Sequence, residues 1–360
     1  MALTKEDTQK AKGIAILGMV MLHLFCRLGD LPYTPWIWIG ETPLVYYLGL
    51  FGDMCVPIYC FCSGYAHYLL YEKQKESYKR SIPNKLLRFL KNYWIVVGLF
   101  SLVGLLAGKG STMPGSISEF MGNVFLYRIS YNGAWWFVLT YVFLSLLSPV
   151  FIKVTSKYHP LLMIFVSGAI YFLAYLFRFR YVITMPNVML EWIWQQLILL
   201  GTSQFGYVIG MVCRRMRWVA KLREYLHTDS DVSCRVLWER RLVKASILLL
   251  PVASFVGHCI VQSAIVAPIT AAAVLVWLFT ANLPPCINHI FLFLGKHSTN
   301  IWLVHMFFYL TLFKNFVFIA KYPVLILLLM LAVCILISCT VNWISQKIYI
   351  LYPILSSQKI

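Results

Sequence analysis

The stretch PVLILLLMLAVCILISCTVNWI, Pro323–Ile344, contains no charged side chain. A helix needs roughly 20 mostly apolar residues to cross the hydrocarbon core of a bilayer, and this stretch is long enough. Around it the composition agrees: 60% of the 360 residues are hydrophobic and 12% are charged. Soluble domains carry about 25% charged residues, and a soluble fold of this length has no place to bury so much apolar surface. The chain therefore reads as an all-α, polytopic integral membrane protein.

Working outward, the apolar runs place about ten transmembrane helices between residues 13 and 344. The expected crossings are Gly13–Leu28, Pro43–Tyr71, Tyr93–Ala107, Ala134–Val154, Pro160–Phe177, Val188–Val212, Leu242–Gly257, Ile260–Thr280, Thr299–Ile319 and Pro323–Ile344. The first run follows Lys5, Lys10 and Lys12 as a leader would. No small-x-small cleavage site follows it, so it is read as a retained helix. Residues 1–360 read as one transmembrane domain with basic loops at 72–92 and 213–241. The second loop carries a polar patch, His227, Asp229, Asp231 and Ser233, with room for one surface helix.

Net charge is +18, and its placement decides what it means. With both termini cytoplasmic, only Arg27, Lys109, Arg128, Arg178, Arg180, Lys314 and Lys321 fall outside, leaving 24 of the 31 Lys and Arg inside. That excess is the positive-inside signal, so the charge reports topology in a cell membrane rather than nucleic-acid binding. The ten cysteines form no CxxC pair and no Cys/His spacing suited to zinc, and no metal site is expected.

Ionisable groups within the bilayer are costly and mark function by default. His23 lies well inside the first crossing, Asp53 lies in the second and His305 in the ninth; His67 and His258 lie near the ends of theirs. Lys12 precedes His23 by eleven residues. On a helix that puts the two side chains about 20° past three full turns, on one face, about 16 Å apart along the axis. An imidazole there suits proton transfer from a hydroxyl near neutral pH, or a structural bond to neighbouring backbone. Asp53 either orients a cation or a protonated His, or caps the chain near the outer surface. Ser63-Gly64 allows close helix packing. Lys85, Arg88 and Lys91 recur every three residues and share a helix side, where they can hold a polyphosphate or anchor the inner leaflet.

Five segments in this order resemble the acyltransferase-3 family of integral-membrane O-acyltransferases: KGIAILGMVMLH (Lys12–His23), GDMCVPIYCFCSGY, NKLLRFLKNYW, AWWFVLTYVFLSLLSP and LGKHSTNIWLVH. The resemblance runs from about residue 9 to 345. It departs where Lys12 and Lys85 replace the family's usual arginines and where the Trp-Phe helix lacks a glutamate. The resemblance implies an O-acetyltransferase acting on a cell-envelope sugar or polysaccharide, with acetyl-CoA or another acyl-CoA as cytoplasmic donor. Lys12, Lys85 and Arg88 would bind the donor's phosphates. His23 would act as general base or transient acyl carrier, with Asp53 beside it. Ser63, Trp136 and His305 are candidates for orienting His23 or the acceptor. A transporter or flippase for a sugar or lipid-linked glycan is the alternative; the two halves show no inverted repeat of broken helices.

Overall fold

The computed structural model describes residues 2–29, 31–181, 183–227 and 234–351. In chain order its α-helices are α1 (Lys5–Phe25), α2 (Leu44–Phe51), α3 (Cys55–Gln74), α4 (Tyr78–Leu106), α5 (Ile117–Val124), α6 (Trp136–Leu146), α7 (Ser148–Lys157), α8 (Pro160–Phe179), α9 (Val188–Met216), α10 (Trp218–His227), α11 (Cys234–Ile260), α12 (Ala267–Thr280), α13 (Pro285–Val304) and α14 (Pro323–Leu351). A two-residue antiparallel hairpin, Trp38–Ile39 with Thr42–Pro43, is the one sheet among the described residues. The all-α expectation holds.

Five described helices are long and apolar enough to cross a membrane, or six if one bent pair counts as a single span. One of the five is the continuous run Leu44–Leu106, 63 residues long, which contains α2, α3 and α4. Helices α8, α9, α11 and α14 match the expected fifth, sixth, seventh and tenth crossings to within several residues at most ends; α11 and α14 run further.

Other readings differ from the structure: the expected eighth crossing, Ile260–Thr280, is a 3₁₀ turn followed by the 14-residue α12, and α1, the expected first, is not among the five helices. The expected fourth crossing is broken: α6 and α7 meet at a 54° bend. Pro149 is the cause, because it lacks the N–H that Ser145 O would accept and its ring crowds that carbonyl. The Ser148 hydroxyl donates to Ser145 O instead, at 2.6 Å. The expected ninth crossing, Thr299–Ile319, is displaced. The helix begins at Pro285, whose missing N–H costs nothing at a helix start, and ends at Val304. His305 Nδ1 then donates to Trp302 O at 2.8 Å, a side-chain bond that closes the last turn. Short 3₁₀ turns at His305–Phe308 and Phe316–Ala320 follow. Between the sixth and seventh expected crossings α10 is the helix in the second basic loop, while Asp229, Asp231 and Ser233 lie outside the described residues.

The chain divides into two compact units. The first comprises Met1–Cys26, Tyr46–Lys79 and Phe143–Lys296. Its helices cross on glycine, so that backbones touch. A Cβ at Gly64 would run into Tyr207 O, one at Gly210 into Phe61 O, and one at Gly206 against Pro57 O, all between α3 and α9. Likewise Gly13 faces Phe291 O and Gly295 faces Gln9 O where α1 crosses α13. Arg217, in the left-handed region at φ 56°, ends α9 and turns the chain into α10. From α10, Arg223 reaches both Phe279 O (2.7 Å) and the Asp7 carboxylate (3.1 Å), tying α10, α12 and the start of α1 together. Thr4 and Asp7 complete a capping box on α1.

Burial pushes the Asp7 carboxyl up, but the hydrogen bonds from Arg223 and Thr4 and the Arg223 charge outweigh it and hold it below its usual 3.8. A depressed carboxyl contributes stability that is present above its unfolded pKa and lost as pH falls through the folded one. Thermal melts of wild type should therefore fall in Tm below about pH 4, whereas Asp7→Asn should start lower at neutral pH and change less on acidification.

The second unit comprises Arg27–Val45, Arg80–Val142 and His297–Ile360. Its centre is aromatic and buried: Phe100 stacks on Phe307 at 3.9 Å, and Tyr93 meets Trp135 edge-on at 4.9 Å. Two segments far apart in sequence lock each other there. Trp135 Nε1 and Asn132 Nδ2 both donate to Leu303 O at 2.9 Å, and Trp302 Nε1 donates to Ala134 O at 3.0 Å.

Candidate functional site

In the first unit, α1 is one unbroken helix over both Lys12 and His23, so the eleven-residue spacing keeps its meaning: one face, about 16 Å apart. Both side chains are half-buried. His23 sits in the last turn of α1, followed by buried Leu24 and Phe25.

The chain segment bearing Asp53 crosses the C-terminal part of α1, between Gly18 and Cys26. Gly49 packs on Met21 O and Cys26 N, and Gly52 packs on Gly18 and the Leu22 side chain. These contacts need glycine, and they set the 3₁₀ turn Gly52–Met54 against the helix. Asp53 also has a partner that spacing did not reveal. Its Oδ2 lies 3.6 Å from Nε2 of His258 at the end of α11. That imidazole is fully buried, with Nδ1 3.3 Å from Thr270 Oγ1 and its ring edge-on to Phe51. Its Nε2 has no hydrogen-bond partner among the described residues. The place of His258 near the outer turn is legible in the sequence, whereas its pairing with Asp53 is not. The turn after α11 adds polar contacts from α8: Tyr171 OH donates to Ala264 O at 2.8 Å, and Tyr175 OH lies 2.6 Å from Ser263 Oγ.

Ser63 is half-buried on α3, beside the Gly64 crossing, a packing position. His67 is spent on a relay: its Nδ1 is 2.6 Å from Tyr78 OH, which donates to Ser148 Oγ at 2.6 Å.

In the second unit, Lys85 and Arg88 lie one turn apart on α4. Arg88 is exposed, and Lys85 Nζ donates to Ser81 Oγ at 3.1 Å. Lys91, their neighbour on that side, donates to Ser345 O at 3.1 Å, so its charge holds α14. Trp136 is half-buried at the start of α6, next to the fully buried Trp135. His305 is wholly buried and gives Nδ1–H to the Trp302 carbonyl. Nearby, a buried polar network that spacing did not flag joins His297 Nδ1 to Ser338 Oγ (2.9 Å) and Asn300 Nδ2 to Ser338 Oγ and Asn342 Oδ1 (3.0 Å each).

The structure thus gathers Lys12, His23 and Asp53 in the first unit, and Lys85 with Arg88 on one helix of the second. Long apolar helices and an almost wholly helical chain define a helical membrane protein. Residues 11–343 match the acyltransferase-3 family, described as an acyltransferase domain, and the chain belongs to that family. It is a membrane acyltransferase. No curated protein and no solved structure matches it.

Proposed function

We propose that the protein is an O-acetyltransferase that moves an acetyl group from cytoplasmic acetyl-CoA to a hydroxyl of a cell-envelope sugar. The observation that carries this reading is the unbroken α1, with a cation at Lys12 and an imidazole at His23 on one face about 16 Å apart. An extended pantetheine arm suits such a span. Lys12, Lys85 and Arg88 are assigned to the donor's phosphates on charge and motif. His23 takes the proton of the acceptor hydroxyl, or carries the acetyl group between donor and acceptor. Asp53, on the segment that crosses the C-terminal part of α1, is assigned to stabilising positive charge that develops on that imidazole. About ten crossings, with both termini in the cytoplasm of a cell-membrane protein, accommodate this chemistry, supported by the one-sided distribution of Lys and Arg.

The test is thiol release from acetyl-CoA by the purified protein in nanodiscs supplied with envelope glycan extract, with the acetylated product found by mass spectrometry. Release that depends on the extract, with one acetyl group per thiol in the product, is expected. A folded protein that releases no thiol from acetyl-CoA or from longer acyl-CoA donors overturns the reading.

A further inference from the structure

A cavity of about 270 Å³ lies in the first unit between the C-terminal end of α8 and the first turns of α9. Its size is just below the range of small-molecule sites, ~300–1,000 Å³, and suits one ring rather than a polymer. The lining combines an aromatic wall with fixed polar groups. Phe177 and Trp194 meet edge-on at 5.4 Å. Glu191 is held at both oxygens: Met185 N donates to Oε2 at 2.8 Å, and Gln195 Nε2 donates to Oε1 at 2.9 Å. Arg178 donates to Thr202 Oγ1 at 3.2 Å; one turn earlier on α8, Tyr175 OH lies 2.6 Å from Ser263 Oγ in the turn that follows α11, the helix whose end carries His258, the partner of Asp53.

We infer that this cavity is the subsite for the acceptor, and that its ligand is a single uncharged pyranose unit. The inference rests on the acetyltransferase reading. The chemistry of the wall selects the ligand class. A carboxylate accepts hydrogen bonds, a guanidinium donates them, and the amide of Gln195 does both, which matches ring hydroxyls that are donors and acceptors at once. The aromatic rings offer a flat apolar surface to the C–H face of a sugar. Glu191 disfavours a phosphate and Arg178 disfavours a cation, so neither charged class fits as well.

The experiment uses the full chain in nanodiscs and saturation-transfer NMR with glucose and N-acetylglucosamine as probes. Wild type is expected to saturate at least one of the two. Trp194→Ala and Glu191→Gln should each weaken that binding at least tenfold, and Gln195→Ala, at an exposed position, should weaken it without changing the melting curve. Undiminished binding in all three, or no binding of either sugar by wild type, overturns the subsite. Thiol release is scored separately on wild type. Release with sugar binding that ignores these variants would sink the subsite and leave the enzyme reading intact. Sugar binding lost in the variants with no release from any donor would keep the subsite and sink the enzyme reading.

Discussion

Replacing His23 with alanine should lower acyl transfer by ~10²–10⁴, the range that a positioned general base contributes. On the proposed mechanism the loss should appear in kcat, because the imidazole acts on the hydroxyl proton during reaction while other residues, Lys12, Lys85 and Arg88, are assigned to the donor. Half-burial at the last turn of a helix leaves room for the smaller side chain, so the variant should retain the wild-type melting curve. If His23 instead carries the acetyl group, a rapid quench of wild type with labelled acetyl-CoA and no acceptor should leave label on the protein; His23→Ala should leave none. A folded variant that acetylates at the wild-type rate would remove His23 from the chemistry altogether.

Gly210→Val should abolish the folded first unit rather than weaken it. A side chain there meets the Phe61 carbonyl and the Tyr65 amide on α3, and backbone atoms have no rotamer with which to yield. The two helices would have to separate along a crossing that also uses Gly64 and Gly206. Overpacking a compliant core costs ~1–3 kcal/mol; here rigid backbone stands on the far side, so the cost should exceed that range. In size-exclusion chromatography the expected outcome is loss of the monodisperse peak. Gly98→Ala is the control: a Cβ at Gly98 meets nothing within 4 Å, and the peak should remain.

Much of this fold was legible because lipid and helix geometry leave strong marks in a chain. Unbroken apolar runs locate α8, α9, α11 and α14, and helical periodicity alone places Lys12 and His23 on one face. What misled is that apolar character reports burial and does not say by what. Ile301 to Tyr309 is as apolar as a crossing, yet these residues are buried within the protein itself, while α13 begins at Pro285, fourteen residues before the expected start at Thr299, in sequence holding His289, Lys296 and His297. Pro149 was visible, but only a competing acceptor bond shows that the helix breaks there. The Asp53–His258 pair was not legible at all: 205 positions separate the partners, and no local period links them. For the same reason the Lys85–Arg88 pair could be recognised as a pair, while Lys91, at the same spacing, proves to be occupied with Ser345.

The mutual lock between Asn132–Trp135 and Trp302–Leu303 also bears on the protein's birth. Its bonds join residues 168 to 171 positions apart. At ~5–20 residues synthesised per second, Leu303 emerges roughly 10–30 s after Trp135. Throughout that wait the indole and amide N–H groups of the earlier segment lack the carbonyl they will eventually bind, in surroundings where an unmet donor is expensive. Early helices must therefore either linger near the insertion machinery or borrow temporary partners, and a ribosome that stalls before Leu303 should yield a product cleared by proteolysis rather than a half-active enzyme.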